Sequence, residues 1–136
     1  MREPLPSLSA RLVRCRLYSV IFVQDYVQLR FDTETGPDEP VLSCFVPPVV
    51  VSRAGPVTAA AAGWTDALRS LIGLVVTATS AQPGSGLTID FGDVALAWHP
   101  GTDELVEIAM LGGFRDGAWT VWRPGEGPFG AVRPAS

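Results

Sequence analysis

The chain of 136 residues contains no lysine and no asparagine, a single histidine and two cysteines. Each scarcity excludes something. Without lysine there is no phosphate-loop lysine, and no Gly-x-x-x-x-Gly-Lys pattern occurs. With one histidine, His99, any Ser-His-Asp or Cys-His mechanism has to pass through that residue, and no Gly-x-Ser-x-Gly elbow accompanies it. Cys15 and Cys44 form no Cys-x-x-Cys pair, so neither a zinc knuckle nor a redox motif is present. Cys44 lies in an apolar run and reads as a small core residue. Sequence alone leaves a Cys15–Cys44 bridge open, although a reducing compartment disfavours one. No run of about 18 apolar residues exists, and Met1–Ala10 has no signal-peptide core, so the expected location is cytoplasmic, with no membrane partner.

The missing lysine and asparagine have AT-rich codons, whereas the abundant Ala, Gly, Pro, Arg and Val have GC-rich ones. This composition points to a GC-rich genome, plausibly actinobacterial. The ten basic residues are all arginine, and the net charge is −4. Only Arg2, Arg11, Arg14 and Arg16 cluster. Tight phosphate-backbone binding needs a concentrated set of cations, so no nucleic-acid partner is expected.

What the sequence does have is 47% apolar residues, enough for one domain of this length to bury a core without staples. The expectation is a single domain over 1–136, with a leader at 1–12 and a tail at 123–136 loosely ordered. Residues 17–23 are β-branched and aromatic and read as a strand. After a turn at Gln24-Asp25, Val27, Leu29 and Phe31 alternate with Tyr26, Gln28 and Arg30, giving a strand with one wet face. Val41–Val46 is the next strand, stopped by Pro47-Pro48, and Val49–Ser52 reads as a short edge strand. Trp64, Leu68, Leu71 and Ile72 follow helical spacing, with Thr65 as cap and Gly73 as stop; the alanine run at 58–63 suggests an earlier start. Leu74–Thr79, 87–91 and 94–98 are further strands. Residues 105–111 are another, with Val106, Ile108 and Met110 on one face. A hairpin turn at Asp116-Gly117 leads to a last strand at 118–122.

An internal repeat emerges. Val27–Asp32 matches Leu87–Gly92 in pattern, and Val41–Pro47 sets beside Val94–Pro100. The fold class expected is α+β: an antiparallel sheet of about six to eight strands from two related β units, with one principal helix packed on it. Two such units join into one antiparallel sheet or stack face to face, and the helix at 64–72 is the expected cover of the apolar face.

Candidate sites are few. Asp90, Asp93, His99 and Asp103 are the one set that could draw a metal; carboxylates at β-turns are usually turn formers, and neither a metal nor a cofactor is expected. The aromatic C-terminal third is richer: Phe114, Trp119, Trp122 and Phe129. Trp119 and Trp122 differ by three, so on a strand they face opposite sides, and one of them is either covered by the tail or exposed to a partner or ligand. These four and His99 are the candidate binding residues. No catalytic residue is assigned.

Leu71-Ile72-Gly73, Val76, Leu87-x-Ile89-x-Phe91, Asp93 and Leu96 resemble the second half of small actinobacterial proteins of unknown function, in which a Leu-Ile-Gly helix end precedes a Val strand and a Leu-x-Phe hairpin. Asp25–Asp32 is similar to their first half. Here Gly92-Asp93-Val94 replaces the usual Asp-Gly turn. The resemblance implies an immunity-protein-like shape. With no catalytic set, an acidic surface and surplus aromatics, the function expected is non-catalytic protein binding, as an immunity- or antitoxin-like protein or an accessory subunit. The alternatives are a small-ligand binder or enzyme with a pocket near His99, and a self-associating domain pairing through an edge strand or the tryptophan surface.

Overall fold

A computed structural model describes residues 7–34, 36–82, 86–100 and 107–129. After a 3-10 turn at Leu8–Leu12 come β1 (Arg16–Val23), β2 (Tyr26–Asp32), β3 (Val41–Cys44), β4 (Val49–Ser52) and β5 (Gly55–Val57). Then follow α1 (Trp64–Arg69), β6 (Ala78–Gln82), β7 (Gly86–Asp90), β8 (Ala95–Trp98), β9 (Ala109–Gly112) and β10 (Thr120–Trp122). These strands form two five-stranded antiparallel sheets, ordered β1-β2-β3-β9-β10 and β5-β4-β8-β7-β6. No helix among the described residues is long and apolar enough to cross a membrane.

The two halves of the chain share one strand plan. β1-β2-β3 is a meander in the first sheet, and β6-β7-β8 is the matching meander in the second. Each half then sends its last two strands across: β4-β5 adds to β8, and β9-β10 adds to β3. Neither sheet is therefore made by one half alone. The ladders pair Val27 with Cys44 and Leu87 with Trp98. Cys44 thus corresponds to Trp98, and Leu42 to Leu96. This is one residue out of step with the alignment that sets the two prolines, Pro47 and Pro100, together. Hairpin register is fixed by which side chains face the core, and the loop between the strands absorbs the offset.

The strands alternate as half-buried strands must. Val27, Leu29, Phe31, Leu42, Cys44, Leu111 and Trp122 face inwards from the first sheet, while Val50, Leu87, Ile89, Leu96 and Trp98 do so from the second, and all belong to one continuous core. The sheets cover each other. That is why the expected single sheet under a principal helix does not form: the apolar faces are already paired, as in sandwiches generally. α1 is only six residues, starts at Trp64 as expected but is capped by Gly63 without a side-chain bond rather than by Thr65, ends at Arg69, and buries Leu68. Residues 58–63 form turns instead of an earlier helical start. Gly73, at φ +98°, ends the helical stretch as expected.

Two further expectations change. β4 lies between β5 and β8 and is not an edge. Ile108 is buried but Met110 points outwards, with Ala109 and Leu111 facing the core; Val106 lies outside the described residues. The corner where β3 passes to β4 is pinned by two indoles. Trp98 Nε1 donates to the Val46 carbonyl at 3.1 Å, and Trp64 Nε1 to that of Pro48 at 2.9 Å.

The described parts of the leader and tail are packed. Leu8, Leu12 and Phe129 are buried, the Leu8 amide donates to the Phe129 carbonyl, and the Ser7 hydroxyl donates to that of Pro128 at 2.7 Å.

Candidate binding surfaces

The five candidate residues separate. Trp122 is buried, edge-to-face with Phe129 at 5.8 Å, and its indole N–H donates to the Glu126 carbonyl at 3.1 Å. Phe114 is also buried, with the Arg11 guanidinium 5.2 Å above its ring. These three rings build the core at the C-terminal end of the sandwich and present no surface. His99 is exposed just beyond β8, where its main chain passes close to Gly86. Trp119 stays on the surface, 41% exposed. The opposite facing of the two tryptophans was legible from their spacing; which of them faced solvent was not.

Trp119 sits on the outer face of the first sheet. Cross-strand pairing aligns Ile21, Gln28, Ser43, Met110 and Val121 in one row, and Ser19, Arg30, Val41 and Gly112 in the next. Trp119 lies beside Gly112, where an added Cβ would come within 3.4 Å of the Trp119 Cβ. A shallow depression of about 300 Å³ results, walled by Trp119, Met110 and Val41 with Gln28 and Ser43 at its base. Gln28 Nε2 donates to the Ser43 hydroxyl at 3.2 Å, and Arg30 Nε donates to Gln28 Oε1 at 2.9 Å. The depression therefore has apolar walls and a polar, already hydrogen-bonded floor. Tyr26 and Phe45 extend the same face, their rings 5.6 Å apart. Solvent faces of antiparallel sheets are ordinarily polar. Met110, Gly112 and the Gln28–Ser43 pair were not singled out from sequence, because cross-strand neighbours become neighbours only through register.

A smaller cavity, about 170 Å³, opens at the end of the sandwich among Phe22, Tyr26, Phe45, Pro47 and Trp64. Ligand pockets usually start near 300 Å³, so this one suits a single side chain better than a cofactor. A third, open cleft of about 490 Å³ is lined by Arg11, Pro37, Asp38, Arg115 and Asp116. It is a charged seam: Arg11 Nη1 reaches Asp116 Oδ2 at 2.9 Å, and the Arg115 amide donates to Asp38 Oδ1 at 2.7 Å. The Ala118 amide and Arg11 together hold the Asp116 carboxyl below its ordinary range. His99 lines none of these three hollows.

Both cysteines are free and buried. Burial pushes the Cys15 thiol up to about 11, and raises Cys44 further still. At neutral pH both are thiols, and the thiolate needed for nucleophilic or redox chemistry is scarce. Among the described residues no group of three His, Cys, Asp or Glu is placed to hold a metal; Asp103 lies outside them. Comparison of the chain with protein-family models, with curated proteins and with solved structures returned no match.

Proposed function

We propose that this chain is a non-catalytic protein-binding domain whose partner docks on the outer face of the first sheet, around Trp119. The observation that carries the reading is that face itself: Trp119, Met110, Val41, Tyr26 and Phe45 stand on the solvent side of a sheet whose opposite side already fills the core. Interaction hot spots favour a large aromatic beside a well-packed pocket, ringed by contacts that exclude water. Trp119 over the Gln28–Ser43 floor has that form. Arg30 is the charged side chain in these rows, so desolvating the face removes little charge from water. The overall charge of −4 favours a partner of opposite sign, since complementary fields speed encounter. A neutralising (immunity- or antitoxin-like) protein or an accessory subunit fits these properties.

The test is affinity purification of the tagged chain at native level from its own host, beside a Trp119→Ser, Met110→Ser double variant. A stoichiometric protein partner is expected with the parent and not with the variant, while circular dichroism and melting stay unchanged. Equal capture by both, or no stoichiometric partner at all, would refute the assignment.

A further inference from the structure

The longest run of exposed apolar side chains follows one edge of the first sheet. Ten large apolar side chains are exposed among the described residues. Val51, Met110 and Trp119 are scattered over both sheets. The other seven follow one line. Four are on β1: Tyr18, Ile21, Phe22 and Val23. Three are on the segment that borders β1: Ile72, Leu74 and Val75.

That segment already acts as a short added strand. The Leu17 amide donates to the Leu74 carbonyl at 3.0 Å, the Gly73 amide to that of Leu17 at 2.7 Å, and Arg16 bridges Val75 in antiparallel sense. A register shift at Tyr18 ends this cover. From Ser19 to Val23 the ladder to β2 is regular, and no main-chain bond from the described residues outside the sheet reaches its far side. Val23 pairs with Tyr26 across a two-residue turn, so Val23, Ile21 and Ser19 direct their amides and carbonyls at β2. Val20 and Phe22 therefore direct theirs outwards.

The remaining sheet edges are blunted. β5 is three residues long and contains Pro56; β10 is also three residues long; the N-terminal turn packs along β6. β1 is eight residues and has no charge or proline from Leu17 to Val23. Natural proteins seldom leave such an edge bare, because it templates pairing with another strand.

We infer that β1 pairs antiparallel with β1 of a second copy of this chain, joining two first sheets into one ten-stranded sheet about a two-fold axis near Ile21. A strand paired with itself about a two-fold is self-complementary, with Val20 of each copy facing Phe22 of the other. The area is adequate for a weak interface. Seven side chains at 36–47% exposure hide roughly 60 Å² each, on the order of 400 Å² per copy, and main chain and rim bring the pair towards ~1,000 Å². This points to association in the micromolar range rather than an obligate dimer. Trp119, on the far side of the same sheet, stays free in each copy, so the partner site above would be displayed twice.

Sedimentation equilibrium of the full chain from about 1 µM to 1 mM tests this. The parent is expected to pass from monomer to dimer. Val20→Pro removes an outward amide, which an edge strand tolerates, and part of a side chain packed on the core, and is expected to remain monomeric with unchanged circular dichroism. Should that variant misfold, Phe22→Glu, which sets two charges near the axis, takes its place. Ile21→Cys is expected to form a disulfide-linked dimer under mild oxidation, since facing Cα atoms at a non-hydrogen-bonded pair lie about 4.5 Å apart. Trp119→Ser is expected to dimerise like the parent. A parent monomeric throughout, a dimer persisting in folded Val20→Pro or Phe22→Glu, cross-linking of Trp119→Cys as efficient as that of Ile21→Cys, or loss of the dimer in Trp119→Ser would each overturn the assignment.

Discussion

Replacing Trp122 and Trp119 by alanine separates the core from the surface in one experiment. Trp122 is 2% exposed, stacked edge-to-face on Phe129 and hydrogen-bonded to the Glu126 carbonyl. Its truncation removes the largest ring at that end of the sandwich and leaves both Phe129 and a main-chain acceptor without their partner. Large-to-small changes of this kind cost about 3–5 kcal/mol. Against a total stability of roughly 5–15 kcal/mol, that is a fifth of the whole or more. For a chain of this size each kcal/mol moves the midpoint about 3–4 °C, so Tm should fall by about 9–20 °C. Trp119→Ala removes a ring already 41% in water, and its cost should stay below about 1 kcal/mol. Thermal and urea unfolding followed by circular dichroism measure both. The reasoning about which tryptophan is structural is refuted if Trp122→Ala costs under about 1 kcal/mol, or if the two variants are equally destabilised. The comparison also governs any binding experiment: a Trp119→Ala, Trp122→Ala double variant confounds lost contact with lost fold, and Trp119 alone is the clean probe.

Three other outcomes follow from the geometry. Expressed separately, residues 1–60 and 61–136 should each give unfolded spectra, and an equimolar mixture should regain the native one, because each sheet needs a hairpin from the other half; a cooperative melt from either half alone would contradict the exchange. Gly113→Ala and Gly125→Ala both force a side chain at positive φ, +86° and +84°, but the Gly113 Cβ would also strike the Glu39 carbonyl and the Pro40 backbone, while that of Gly125 meets open space. Gly113→Ala should therefore be the more destabilising by about 1–3 kcal/mol in urea unfolding, and equal costs would remove the close approach as the reason for this glycine. Cys15 titrates near 11 in the native state against an ordinary 9.0, so the native state holds its proton longer. Its contribution is complete below about pH 9 and is lost as pH rises through about 11. Urea midpoints should decline over that window, and less steeply in Cys15→Ala; a flat profile up to pH 11 would exclude a buried thiol.

Much of the local structure could be read from the sequence because it rests on local rules. Period-two alternation at 26–31, 87–91 and 94–98 located strands, the prolines at 47 and 100 located their ends, and Gly73 located the end of the helical stretch. Met110 was assigned to the wrong face because 105–111 was read as one uninterrupted strand, whereas the strand begins at Ala109 and Ile108 lies before it. The helix was given the task of covering the sheet because alternation shows that a face is apolar without showing what lies on it. Three of the candidate rings, Phe114, Trp122 and Phe129, are core for a related reason: aromatic composition marks sites worth burying as readily as sites worth exposing.

By itself, then, the sequence determined the strands around 26–31, 41–46, 87–91 and 94–98 and the strand–turn–strand pattern recurring in both halves, since each depends on residues within a few positions of one another; it placed a strand at 74–79 and a turn at 80–86 where the strand is Ala78–Gln82, and it did not show Gly55–Val57. Tertiary structure alone decided that each half lends its last hairpin to the other's sheet, that the two apolar faces meet without a helical layer, and that Trp119, Met110 and Gly112 share one hollow. It also decided that β1 keeps a bare edge while the other edges are short or covered. These are properties of pairing between segments tens of residues apart, and register, which sets which side chain stands beside which, is written in no single segment.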